Sequence, residues 1–286
     1  MAKVAIVTDS TAYIPAGETQ ALPVTTIPLN LIWANETYLD GVDIQPSEFY
    51  TRLKDAKQMP STSQPSPAAF KEVFERLSME GYEAILAVTL SSKLSGTMDS
   101  ATQAKNMLPD LHIELVDSLQ TAMGLGFPVL LAARAAREGA SLQECKQIAE
   151  EASARSNTYF AANTLEFLHR GGRIGGGAAF LGTALNLKPI LYLHDGRVEA
   201  FQKIRTMKKA RERLVEIIDS QVKGSRAVHL AVLHANAPDE ANLLMDAVKL
   251  QLGNGIIAEA MITDVSPVIG AHTGPGTIGI SFLSEN

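Results

Sequence analysis

Apolar runs too short to be helices alternate with helix-opening signals through the first half of this chain, and that alternation narrows the architectures open to it. Val4 to Val7 is a β-branched run that stops at Asp9-Ser10-Thr11 and reads as a buried strand with a polar turn. Thr25 to Trp33 is a second strand candidate. Gln45-Pro46 opens a helix that continues to Lys54, with proline at its first position. Ser66-Pro67 opens another, closed by Gly81. Ala84 to Thr89 and Ile113 to Val116 read as strands. Between them a helix follows Ser95-Gly96, and two more follow Asp117-Ser118, the last capped by Ser141. Strand and helix taking turns in this way predict an α/β unit around a mainly parallel sheet.

The second half has a different rhythm. Tyr159 to Ala162 is a strand candidate, followed by a short helical stretch to Arg170 and a crowd of glycines from Gly171 to Gly177. Pro189 to Leu193 and Val198 to Ala200 flank Asp195-Gly196, a good hairpin signal. Met207 to Gln221 and Pro238 to Leu252 read as helices. Ala227 to Leu233, Gly255 to Ile262 and Thr277 to Phe282 read as strands. Hairpins mixed with helices predict an α+β layered unit. The expected fold is therefore α/β with two domains, residues 1–156 and 157–286, the boundary falling near Arg155 to Thr158. A chain of 286 residues has room for both.

Composition removes several function classes. Hydrophobic residues make up 46% and charged residues 20%, which excludes a disordered, collagen-like or coiled-coil chain. The net charge of −6 argues against broad nucleic-acid binding. One cysteine, Cys145, rules out an intrachain disulfide and a Cys/His zinc cluster, and no metal ligand set is expected. The first apolar run is too short for a signal peptide, and Gly124 to Ala136 falls short of a bilayer span, so the expected location is cytoplasmic.

Hydroxyl residues gather where the strands of the first half end: Ser10 and Thr11, then Ser61, Thr62 and Ser63, then Ser91, Ser92 and Ser95, then Ser118 and Thr121. Ligands of open parallel sheets bind outside the carboxyl ends of the strands. Helix N-termini there offer unpaired N–H groups, and neighbouring hydroxyls donate without adding charge. Such a place suits one small anionic head group, a carboxylate or a phosphate. Taken singly, each Ser or Thr is accounted for as a helix cap; the recurrence raises the site reading. No nucleotide-binding loop accompanies it: Gly171-Gly172-Arg173-Ile174-Gly175 follows a helical stretch rather than the first strand of a βαβ unit. That segment reads as a glycine turn, with Arg170 and Arg173 either on the surface or fixed beside a cleft. No Gly-x-Ser-x-Gly nucleophile motif occurs. His272 lies among Gly270, Gly274, Pro275 and Gly276, which reads as a shaped loop between strands. Lys203, Arg205, Lys208, Lys209, Arg211 and Arg213 form one basic segment, 203–213, either a solvated helix face or a contact for an acidic partner or anionic lipid.

Five motifs together resemble one family. They are Thr8-Asp9-Ser10-Thr11; Ser61-Thr62-Ser63-Gln64-Pro65-Ser66-Pro67; Ser91-Ser92-Lys93-Leu94-Ser95-Gly96-Thr97; Leu165 through Ile174 with its Arg170-Gly171-Gly172 core; and His272-Thr273-Gly274-Pro275-Gly276. In order and interval they are similar to the DegV family of bacterial fatty-acid-binding proteins, over nearly the whole chain. The resemblance implies two α/β domains with a long-chain fatty acid, such as palmitate, between them. It implies a carboxylate held by Thr62, Ser95 and His272, with Ser10, Ser63, Ser92 and Arg170 as further binding candidates. It also implies no cofactor and no catalysis by the chain itself. The bound acid would pass to a separate ATP-dependent fatty acid kinase that makes an acyl phosphate for phospholipid synthesis, with transient contact at a membrane surface. Leu119 and Gln120 depart from the small residues expected after Asp117-Ser118. Phe160, Ile174, Phe180, Leu181, Leu185, Ile190 and Ile269 are candidates to line an acyl tunnel, though each also reads as ordinary core. A second function stays open, a small-acid hydrolase or transferase using Ser95 and His272. Regulatory binding of another small metabolite is a third.

Overall fold

The computed structural model describes residues 3–181, 187–253 and 255–285. Strands β1 (Val4–Asp9) and β2 (Val24–Ile27) begin a parallel sheet. The chain then leaves it for a small antiparallel sheet of β3 (Asn30–Trp33), β4 (Glu36–Leu39) and β5 (Ser61–Ser63). It returns with β6 (Ala84–Thr89) and β7 (His112–Asp117), giving the all-parallel order β2-β1-β6-β7. The single strand expected over Thr25 to Trp33 is thus two strands in different sheets. Pro28, which has no N–H to donate, stands at the break.

Both central strands, β1 and β6, are buried along their whole length, as parallel strands covered on two faces should be. The period-2 alternation of side chains sorts them cleanly. Ala5, Val7, Ile85 and Ala87 pack with Phe70, Phe74, Ala101 and Ala104 of the helices Pro67–Met79 and Thr97–Asn106. Val4, Ile6, Leu86 and Val88 pack on the other side with Leu125, Phe127, Cys145 and Ala149 of the helices Met123–Arg137 and Leu142–Arg155. The first of these pairs starts at Ser66, whose side chain accepts from Ala69 N; the last helix starts at Ser141 with a capping box to Glu144.

A third sheet holds β8 (Ser156–Ala161), β9 (Ile190–His194), β10 (Arg197–Gln202), β11 (Ala227–His234), β12 (Ile257–Asp264) and β13 (Ile278–Glu285), in the order β10-β9-β8-β13-β11-β12. Only β11 and β12 run parallel. One face carries the helices Met207–Gln221 and Pro238–Leu252, against Ala161, Leu230, Val232 and Ile280. The other face turns Ala231, Leu233 and Leu283 into the cluster that holds Met123–Arg137. That helix therefore lies between the two large sheets. Two glycines let it come close: a Cβ on Gly124 would sit 2.5 Å from Thr158 Oγ1 on β8, and one on Gly126 would sit 2.9 Å from the Ala12 carbonyl. No helix among the described residues is long and apolar enough to cross a membrane.

Candidate functional site

A cavity opens at the seam between the two large sheets. Counted out to the open solvent at its mouth, its volume is about 910 Å³. Leu90, Leu94, Ser95 and Thr121 reach it from the carboxyl ends of β6 and β7, and Thr62, Ser63 and Gln64 from the small sheet. Thr158, Phe160, Leu193, Val198, Leu233 and Gly279 form the wall on the third sheet. Most of the exposed wall is apolar, as in small-molecule sites.

Three local devices hold the wall in place. Asp9, fully buried at the end of β1, accepts from Thr11 N at 3.0 Å and Leu90 N at 2.7 Å, which ties the ends of β1 and β6 together. Burial pushes its carboxyl up, while the bonds from Thr11 and Leu90 pull it back. The β9–β10 turn docks on the first half where Ser91 Oγ donates to the Gly196 carbonyl at 2.7 Å. Gly196 has φ +78, and a Cβ there would fall 2.4 Å from Ser91 Oγ, so glycine is required. The third device is Asp40. Its carboxylate takes hydrogen bonds from Ser10 Oγ at 2.7 Å and from Val268 N at 3.2 Å. Val268 is in the first turn of the helix Pro267–Thr273, so a carboxylate from elsewhere in the chain caps that helix. Burial raises the Asp40 carboxyl to about 6 against the pull of Ser10, Ser266 and Val268.

The helix Pro267–Thr273 replaces the loop expected around His272. Ser266-Pro267 is the same start signal as Ser66-Pro67, and reading it would have found the helix. Gly270 lets the helix press on Tyr50, whose hydroxyl a Cβ would meet at 2.4 Å. His272 lies in the last turn, and its Nε2 is 2.8 Å from Thr62 Oγ1. Thr62 is presented by β5 through its register with Leu31 on β3. Burial first, and the Arg173 guanidinium second, push the His272 ring down to about 4, so it is neutral at physiological pH. Its Nδ1 is buried with no hydrogen-bond partner among the described residues. Gly171 lies directly against that nitrogen, at 2.1 Å from where its Cβ would be. Ser95 Oγ is 2.9 Å from Thr97 Oγ1, at the start of the helix Thr97–Asn106.

Of the seven residues singled out from the sequence, four line the cavity: Thr62, Ser63, Ser95 and His272. The other three point elsewhere. Ser10 is committed to Asp40 and to Leu29 N. Ser92 is exposed, and its backbone N–H is held by Asp117. Arg170 is exposed in an ion pair with Glu166 at 2.7 Å, one helical turn back. The arginine that does line the cavity is Arg173, held by the Leu94 and Gly171 carbonyls at 3.2 and 2.8 Å. Its place three residues along the same glycine turn was the available signal. Thr121, one of the strand-end hydroxyls read from the sequence, lines the cavity; Tyr13, Thr158 and Thr277 also line it and were not foreseen as site residues.

Among the tunnel candidates, Phe160 and Ile269 line the cavity. Ile174 and Phe180 pack beside it on Leu191 and Val198. Leu181 is exposed, and Leu185 lies outside the described residues. Ile190 belongs to the opposite face of the third sheet, against the helix Met207–Gln221, because strand alternation turns it away. No Ser95–His272 hydrogen bond forms among the described residues, so the pair lacks the nucleophile–base contact that an acyl-transfer site uses. No group of three or more metal-ligating side chains gathers among the described residues.

Comparison with known proteins agrees with this arrangement along the whole chain. A DegV domain-containing protein of Halalkalibacterium halodurans is 37% identical over 285 residues, covering 100% of both chains. A fatty-acid-binding DegV family protein of Thermus thermophilus superimposes with a TM-score of 0.92 at 36% identity, covering 99% of each chain. DegV of Bacillus subtilis, a fatty acid binding protein, superimposes with a TM-score of 0.90 at 32% identity over 100% of both chains. The family model described as an uncharacterised protein of the DegV family matches residues 3–285. With its parallel sheet, its mixed sheet and the apolar cavity at their seam, the chain belongs to the DegV family.

Proposed function

We propose that this protein is a carrier that binds one long-chain fatty acid and presents its carboxylate to a separate ATP-dependent kinase. The kinase would convert the bound acid to an acyl phosphate for phospholipid synthesis, in the cytoplasm and with transient contact at a membrane surface. In this reading the ligand lies between a unit of residues 1–156 and a unit of residues 157–286. The observation that carries it is an apolar cavity whose polar groups meet at Thr62, Ser95, His272 and Arg173. The apolar wall suits methylenes, each contributing about 0.8 kcal/mol on burial.

A carboxylate needs donors when it leaves water. The His272 ring is neutral, so its Nε2 either donates to Thr62 Oγ1 or accepts from it. An anion beside Thr62 selects the first arrangement. Nε2–H then donates to Thr62, and the Thr62 hydroxyl proton is free for the carboxylate. His272 acts on the head group through Thr62, and Ser95 supplies a second hydroxyl. Arg170, exposed on the same short helix as Glu166, is the residue we assign to kinase docking. The basic segment 203–213 is the proposed membrane or partner contact.

The test is mass spectrometry of protein purified from cells grown with fatty acid. Native and denaturing spectra should differ by one acyl mass. Equal masses overturn the carrier reading. Turnover of an ester by an otherwise empty protein would instead support the hydrolase or transferase.

A further inference from the structure

Away from Thr62 and His272 the cavity should need nothing but hydrocarbon, yet its wall carries a second polar group. Thr121 lines the cavity, and its hydroxyl is buried with no hydrogen-bond partner among the described residues. Thr158 also lines the cavity, and its hydroxyl pairs with Ser281 Oγ at 2.9 Å on the neighbouring strand. Gln120 is buried, gives its amide N–H to the Ser156 carbonyl at 3.0 Å, and leaves Oε1 without a partner. Thr158 Oγ1 and Gln120 Oε1 come within 2.5 and 2.7 Å of the point a Cβ on Gly124 would occupy, so these two oxygens gather at one spot, and Thr121 is the next residue after Gln120.

That spot is removed from the head group. Thr277, which lines the cavity and bonds the Thr273 carbonyl next to His272, stands just before β13, while Ser281, paired with Thr158, lies four residues further along the chain. At about 3.4 Å per residue the two places are roughly 13 Å apart. A saturated acyl chain lying between them would leave the Thr121 hydroxyl dry and unpaired, which a buried hydroxyl resists. A chain bearing its own hydroxyl would satisfy it, since a hydroxyl both donates and accepts.

We propose that this end of the cavity is a polar subsite, centred on Thr121, for an oxygen substituent on the acyl chain, so that the protein accepts hydroxylated long-chain fatty acids alongside plain ones. The proposal rests on the fatty acid reading above. The experiment is a set of matched titrations, ricinoleate against oleate and ω-hydroxypalmitate against palmitate, on the wild type, Thr121→Val and Thr121→Ser. In the wild type at least one hydroxylated acid should bind as tightly as its plain counterpart, despite the cost of burying a hydroxyl in an apolar wall. Thr121→Val, close in shape but without the hydroxyl, should lower that hydroxylated-to-plain ratio by about tenfold. Thr121→Ser should restore it. Weaker binding of both hydroxylated acids by the wild type, or a ratio unchanged in Thr121→Val, overturns the subsite and means that only water reaches Thr121. Failure of oleate and palmitate themselves to bind overturns the fatty acid reading instead.

Discussion

Two histidines, one near the start of β11 and one in the helix that precedes β13, show how the same side chain is put to different uses. His229 is buried near the start of β11. Its Nδ1 is 2.6 Å from Glu259 Oε1 and its Nε2 is 3.0 Å from Glu285 Oε1. Both ring nitrogens face carboxylate oxygens, which calls for two N–H groups and hence the charged imidazolium. Arg134 grips Glu259 with bonds of 3.2 and 2.8 Å, and Arg226 holds Glu285 at 2.9 Å. Burial works against the charge on His229, but the bonds to Glu259 and Glu285 outweigh it and raise its pKa. Glu259 is held down at about 2 against its own burial by His229 and Arg134. His272 is the converse: neutral, bonded on one nitrogen and unpartnered on the other. The saturated network fixes strands, whereas the neutral His272 ring is free to take either role in its bond to Thr62.

The largest expected effect falls on the saturated end. Glu259→Ala strands both His229 and Arg134 and should cost about 3 kcal/mol in urea unfolding, the low end for a broken buried pair because Glu259 is partly exposed. It should leave palmitate affinity intact. A loss of affinity equal to that of a head-group variant would erase the contrast between the two ends.

Next in size is the His272 end. Thr62→Val should weaken fatty acid binding by about one to two decades and the methyl ester far less. Because His272 acts through Thr62, His272→Ala should add little on a Thr62→Val background. Additive losses would show that His272 meets the carboxylate directly, and equal losses for acid and ester would mean that both residues only shape the cleft.

Next comes a pH dependence of opposite sign at the two histidines. The folded pKa of His229 is raised above the unfolded value, so its contribution is complete below about pH 6.5 and lost as pH rises through the folded pKa. The stability gap between wild type and His229→Asn should therefore shrink toward alkaline pH. His272 is depressed to about 4, so the contribution of its neutral ring is present above about pH 6.5 and lost as pH falls through that window. Its variant His272→Asn should close the gap toward acid. Profiles of the same sign would refute one of the two charge assignments.

The smallest effect belongs to Arg170. Its exposed pair with Glu166 should be worth about 0.3–0.5 kcal/mol, so Arg170→Ala should barely move the melting temperature or the affinity for palmitate. Acyl phosphate formation in the presence of the kinase should nonetheless fall. A variant that loses lipid and phosphorylation together would return Arg170 to the binding site.

How far these features could be read from the sequence depended on whether their cause was local. Runs such as Val4 to Val7 and Ala84 to Thr89 carry their own burial, and Ser66-Pro67 and Ser141 carry their own caps, so strands and helices of the first half were legible. Thr62, which lines the cavity, was legible because it sits in a recurring pattern of hydroxyls. β4 and β5 were not, since their few residues form strands only by pairing with β3. The helix carrying His272 has a local start signal in Ser266-Pro267, but its glycines drew the reading toward a loop; Gly270 is there for Tyr50, not for a turn. Asp40 capping that helix from 228 residues away leaves no trace in local spacing. The placement of Ser10 followed from the same carboxylate: the hydroxyl that looked free for a ligand is spent on Asp40.

The helix Met123–Arg137 has a consequence for how the molecule comes apart. It presents Phe127, Val129 and Leu130, all without solvent exposure, to a core that includes Val4 and Ile6 from one sheet and Ala231 and Leu283 from the other. Detaching either sheet would bare one flank of the same helix to water. Neither half can then melt while its neighbour keeps its native surface, and the two behave as one cooperative unit despite their different topologies. A calorimetric trace should carry a single transition, and the denaturant dependence should scale with the whole chain rather than with either half.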